Sequence, residues 1–206
     1  MPTGFEEPIN GTEFGNVSSL ITLQTASGKS TTKAGCIGFG NSTTDCGITQ
    51  DGKIKNSSTT EPVPAGATGE DLRFVFNAAE PCGGSIDLTS LEVSFYGTDD
   101  TPLFTADLTS PIMLTSTTPG VGKSGFVFEL TPREATAVDA ILSSTTEIGA
   151  GFSATGASGG PDTLFLETVP STSAVPEPAT YGLLMVGLLG ACFLVRGRQK
   201  ASRRAS

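Results

Sequence analysis

The residue types that carry most enzymatic chemistry are sparse in this sequence, and one is missing altogether. The chain has no histidine. Without imidazole there is no Ser-His-Asp or Cys-His relay and no His-ligated metal site. Gly156-Ala157-Ser158-Gly159-Gly160 has the spacing of a nucleophile elbow. That turn needs a base and a strand-to-helix setting, whereas strand patterns flank it on both sides, so a Gly-rich hairpin loop is expected. Gly122-Lys123-Ser124 matches the end of a phosphate-binding loop, but the glycine the motif needs at position 117 is Thr117, and a strand pattern follows. Asp87, Glu92, Asp99 and Asp100 are hard oxygen donors of the kind calcium takes, without the spacing of an EF-hand loop. They are expected to be solvated carboxylates. No catalytic residue, metal ligand or cofactor site is expected, and the chain reads as a non-enzyme.

The cysteines are Cys36, Cys46, Cys82 and Cys192. Cys36 and Cys46 flank a Gly/Ser/Thr loop and are expected to close a small disulfide ring, which an oxidising compartment would permit. Cys82 is then left over, and Cys192 lies in an apolar run where it behaves as a small hydrophobe. That run, Tyr181–Val195, has 15 residues without a charge. As a helix it would span roughly 22 Å, somewhat under the hydrocarbon core of a bilayer. It is apolar on all faces and ends abruptly in Arg196, Arg198, Lys200, Arg203 and Arg204. Flanking arginines can snorkel to make up the length, and basic residues after a span hold it with the tail cytoplasmic and the preceding chain outside.

Charge divides the same way. All 21 acidic residues lie at or before Glu177, with seven of the 12 basic ones, a balance of −14 for that part. An acidic body excludes a nucleic-acid partner, which needs clustered lysine and arginine. Upstream of the span, Pro170–Thr180 is a Pro-rich linker, stiff and extended at Pro170, Pro176 and Pro178.

Val175-Pro176-Glu177-Pro178, then an apolar span, then an Arg-rich tail resembles the PEP-CTERM protein-sorting signal. The resemblance covers Val175 to Ser206. It implies a bacterium with a Gram-negative envelope, and exosortase, a membrane-embedded transpeptidase-like enzyme, as the partner that reads the signal. It also implies anchoring in the inner membrane with the body outside the cytoplasm, then release to the cell surface or an extracellular polysaccharide matrix. Members usually carry an N-terminal signal peptide. Met1–Asn10 has no basic n-region and no apolar h-region, so such a signal is expected upstream of Met1.

The body that this signal would carry, residues 1–169, is rich in Ser, Thr and Gly, a composition that favours short strands and polar turns. Strand patterns occur at Val17–Thr25 and Gly35–Phe39. Leu72, Phe74 and Phe76 alternate with Arg73 and Val75, as do Leu91, Val93 and Phe95 with Glu92 and Ser94. Further candidates are Leu103–Thr105, Ile112–Leu114, Phe126–Leu130, Ile148–Ala154 and Leu164–Leu166. Asn56–Gly69 has two prolines and no apolar period, and is expected to be a loop. Thr131-Pro132-Arg133-Glu134 is a capping box that opens a short helix, which Ser143–Ser144 should end. The expected fold is mainly β: an antiparallel, jelly-roll-like β-sandwich with one short helix (1–169), the linker (170–180), a single transmembrane helix (181–195) and a basic cytoplasmic tail (196–206).

The leading function is thus exported cargo with a structural or interaction role in the envelope or matrix. A carbohydrate-binding sandwich is the alternative, although the body has no Trp and only Tyr96 to offer as a sugar platform. A hydrolase using paired carboxylates such as Asp87 and Glu92 is the third reading.

Overall fold

Alternating side chains build two sheets whose inner faces meet. The computed structural model describes residues 1, 3–8, 17–24, 32–44, 48, 51–55, 57–117, 124–157 and 160–169. Among them are twelve strands: β1 Thr3–Pro8, β2 Val17–Gln24, β3 Lys33–Ile37, β4 Lys53–Ile54, β5 Glu61–Pro62, β6 Leu72–Ala78, β7 Ser85–Tyr96, β8 Pro102–Asp107, β9 Ile112–Thr115, β10 Ser124–Glu129, β11 Glu147–Thr155 and β12 Asp162–Thr168. One helix, α1, runs over Pro132–Asp139. All pairings are antiparallel. Sheet A has the order β1-β10-β6-β12-β2-β4. Sheet B has the order β3-β11-β7-β8, with β5 added on β11 and β9 on β7. Leaving aside β1, β4, β5 and β9, β2-β12-β6-β10 faces β3-β11-β7-β8. Among these eight, successive strands switch sheets everywhere except between β7 and β8, an interleaved course.

The register explains the core. In sheet A, Phe126, Phe76, Leu164 and Ile21 lie in one cross-strand row, and Phe128, Phe74 and Leu166 in the next. In sheet B, Leu91 lies opposite Phe152, Val93 opposite Ala150 and Phe95 opposite Ile148. These rows form one buried cluster. Phe76 and Phe152 meet edge to face across it with ring centroids 5.0 Å apart, a geometry worth about 0.5–1.5 kcal/mol beyond the area it buries.

Several expectations are corrected. Strand β7 is longer than its alternation suggests, because Ser153 pairs with Ser90 and Ala154 with Leu88, leaving Thr89 as an extra residue. That bulge reverses the phase: Ile86 and Leu88 are buried before it, and Leu91, Val93 and Phe95 after it. The stretch expected to be a plain loop contains β5 and a 3₁₀ turn at Gly69–Asp71. The Gly-rich segment after Thr155 is not a hairpin, since β11 and β12 belong to different sheets. Val75 and Val127, opposite each other on the far side of sheet A, are buried as well. Helix α1 ends at Asp139, before Ser143; its last turn tightens, with the Ile141 N–H donating to the Val138 carbonyl, and a separate turn follows between Ser143 and Thr146.

Among the described residues no helix is long and apolar enough to cross a membrane. The expected span Tyr181–Val195 lies outside them.

Candidate functional site

Three places in the body gather reactive or titratable side chains. The first is on sheet B, where Glu92 of β7 lies opposite Asp107 of β8. The Ser94 hydroxyl donates to Glu92 Oε1 at 3.2 Å and lies 3.1 Å from the Thr105 hydroxyl. Burial raises the Glu92 carboxyl above its ordinary value. The Ser94 hydrogen bond opposes that rise, and the Asp107 charge adds to it. A cleft of about 520 Å³ opens here, lined also by Ala34, Ile48, Ser90 and Ser153. The carboxylate that sequence grouped with Glu92, Asp87, is not part of this cleft. It is exposed and lies opposite Met113 of β9. Asp99 and Asp100 sit in the exposed turn before β8, where Asp99 Oδ1 accepts from the Thr101 N–H at 3.0 Å. Among the described residues no three acidic or cysteine side chains cluster closely enough to hold a metal.

The second place is β3. Cys36 is buried and disulfide-bonded. Its sulfur lies 3.5 Å from the Ile48 carbonyl, a packing contact, since a disulfide sulfur has no proton to donate. The expected partner Cys46 lies outside the described residues, as does Cys192. Cys82 is an exposed free thiol. Gly151 of β11 makes room for this region: a Cβ there would overlap Cys36 and crowd Ile48. At the other end of the same surface Tyr96, the one aromatic available as a sugar platform, is 1 % exposed and has the Phe39 ring 6.2 Å away. It cannot stack on a sugar from solvent.

The third place was not visible in the sequence. Lys33, at the start of β3, and Asp162, at the start of β12, are both fully buried. Lys33 Nζ donates to Asp162 Oδ2 at 2.6 Å and to the Gly160 carbonyl at 2.5 Å. Asp162 Oδ1 accepts from the Ala79 N–H at 2.8 Å. Burial raises the Asp162 carboxyl; Lys33 and the Ala79 hydrogen bond pull it back in part, and Glu80, also buried, pushes it further up. The pair bridges sheet B to sheet A. A separate shallow cleft of about 690 Å³ on sheet A is lined by Ser19, Thr22, Lys53, Lys55, Ser57 and Thr163, among others.

The residues with the most specific sequence signal, Val175, Pro176, Glu177 and Pro178, lie outside the described residues, together with Arg196, Arg198, Lys200, Arg203 and Arg204. A model of the PEP-CTERM protein-sorting motif matches residues 174–199. No curated protein and no solved structure matches the chain. The matched stretch begins just before the Pro-Glu-Pro element, runs through the whole apolar segment and takes in Arg196 and Arg198. With it, the chain carries a PEP-CTERM protein-sorting signal.

Proposed function

We propose that the chain is exported cargo of a bacterial envelope or extracellular matrix, delivered by exosortase, with a structural or interaction role for its body. The observation that carries this reading is the match to the sorting motif over residues 174–199. Tyr181–Val195 serves as a temporary membrane span, and the five basic residues after it act as the stop that keeps the tail cytoplasmic. Pro176 and Pro178 lack backbone donors, and a residue followed by proline favours the extended form in which a protease groove takes up a chain. Cleavage at or beside Val175–Pro178 then frees the body. In a strain with active exosortase the released protein should end near Pro178, by intact mass. A released species that still carries Tyr181–Ser206 would overturn the proposal.

A structural role for the body is supported by the burial of Tyr96 and by a fold that is mainly strand. A matrix polysaccharide is the partner that the Lys53–Lys55 cleft would suit, as its two lysines stand among hydroxyls. Lys53→Ala combined with Lys55→Ala should then reduce retention of the released body on such a matrix several-fold at low salt. Unchanged retention would remove the polysaccharide from the account.

A further inference from the structure

Among the described residues, Lys33 and Asp162 are the one ion pair in which both side chains are fully buried. Two charges withdrawn from water carry a large desolvation cost, of which the contact returns only part. Moving a proton from Nζ to Oδ2 removes both charges and leaves an amine in contact with a carboxylic acid. Both ends of that contact are held in place. Gly160 accepts from Nζ, and Ala79 donates to Oδ1. The two holders converge because Gly160 has no side chain: a Cβ there would overlap that of Ala79.

We propose that Lys33 Nζ and Asp162 Cγ condense into an intramolecular isopeptide bond that covalently joins β3 to β12. The Nζ lone pair attacks Cγ, and negative charge collects on Oδ1. The Ala79 N–H, aimed at that oxygen from 2.8 Å, stabilises it as an oxyanion-hole donor does. The Cγ–Oδ2 bond then breaks. Oδ2 leaves as water with its own proton and one from the nitrogen, and nothing is oxidised or reduced. The one N–H left on the new amide keeps the Gly160 carbonyl as its acceptor. Glu80 follows Ala79 in the chain, is buried, and is near enough for its charge to act on Asp162. It is the group placed to carry the proton from nitrogen to the departing oxygen. The upward displacement of the Asp162 carboxyl by burial favours the protonated acid that this step consumes. The bond is independent of the sorting signal, so either conclusion can fail alone.

The full chain, purified, reduced and denatured, tests it directly. Its mass should fall one water below that of the sequence, and trypsin, which does not cut after an acylated lysine, should leave Lys33 uncut in a branched peptide that contains Asp162. Asp162→Asn should give the identical linked product, with ammonia lost in place of water. Lys33→Arg should show no loss, and Glu80→Gln should lower the linked fraction several-fold. Cleavage after Lys33 in the unaltered chain, with no missing water, would overturn the bond. An unchanged linked fraction in Glu80→Gln would overturn the proton-carrying role.

Discussion

Glu92 shows how a single side chain can work against the fold that holds it. Its carboxyl is raised from an ordinary value of 4.5 by burial, against the Ser94 hydrogen bond and with the help of Asp107. A carboxyl that holds its proton more tightly when folded favours the folded state while protonated. That contribution is complete below the ordinary value and is lost as pH rises through the raised one. At neutral pH the ionised Glu92 is therefore a cost. Glu92→Gln should raise the melting temperature at pH 7, and the gain should vanish below about pH 4. Equal melting temperatures at pH 7 would show that water reaches the pair freely. The identity of these partners was not legible. Asp107 faces Glu92 only through the β7–β8 register, and Asp87, nearer in sequence, does not share the cleft. Lys33 was hidden for a similar reason: it opens an otherwise apolar run, and its partner is 129 positions away.

At the scale of elements, local chemistry was the most readable and irregularity the least. The capping box at Thr131 is built as its sequence specifies. Glu134 N–H donates to Thr131 Oγ1 at 3.3 Å, and Thr131 N–H donates to Glu134 Oε2 at 2.7 Å. Burial would raise the Glu134 carboxyl, but the Thr131 bonds and the Met1 ammonium outweigh it and hold it below its ordinary value. Thr131→Ala should cost about 1 kcal/mol in urea unfolding; a loss within error would mean that the cap is redundant with the packing of Ala135 and Val138. The helix end was not readable: Ser143–Ser144 was the expected stop, but α1 ends at Asp139 although Ile141 and Leu142 continue the apolar pattern. The Ser143 N–H donates to Thr146 Oγ1 at 3.0 Å, and the Thr146 N–H to the Ser143 carbonyl at 3.1 Å, offering the backbone a turn in place of another helical step. In the same way the Thr89 bulge broke a period of two and hid the first half of β7. The two-residue strands β4 and β5 are too short to show any period at all.

For the whole molecule, alternation plus the need to cover each apolar face was enough to indicate a sandwich of antiparallel strands, while the order of strands within each sheet was not legible. That order has a consequence of its own. Strand β12 is the last of the body, yet it lies in the interior of sheet A, between β6 and β2. Until residues 162–168 arrive, β2 and β6 have no partner to join them, and the rows from Phe76 to Ile21 cannot close. A chain shortened to end at Pro161 should therefore lose cooperative unfolding altogether, by calorimetry or denaturant titration. A sharp transition in that fragment would show that the remaining strands can close up without β12. Pairings of such long sequence separation also form slowly, because loop closure must precede the contacts that reward it. The order of events in time follows. A chain passing N-terminus first through a narrow export channel would stay threadable over most of its length. It would gain its final shape only when the segment adjoining the sorting signal comes through, so that completion of the fold and arrival of that signal become nearly one event.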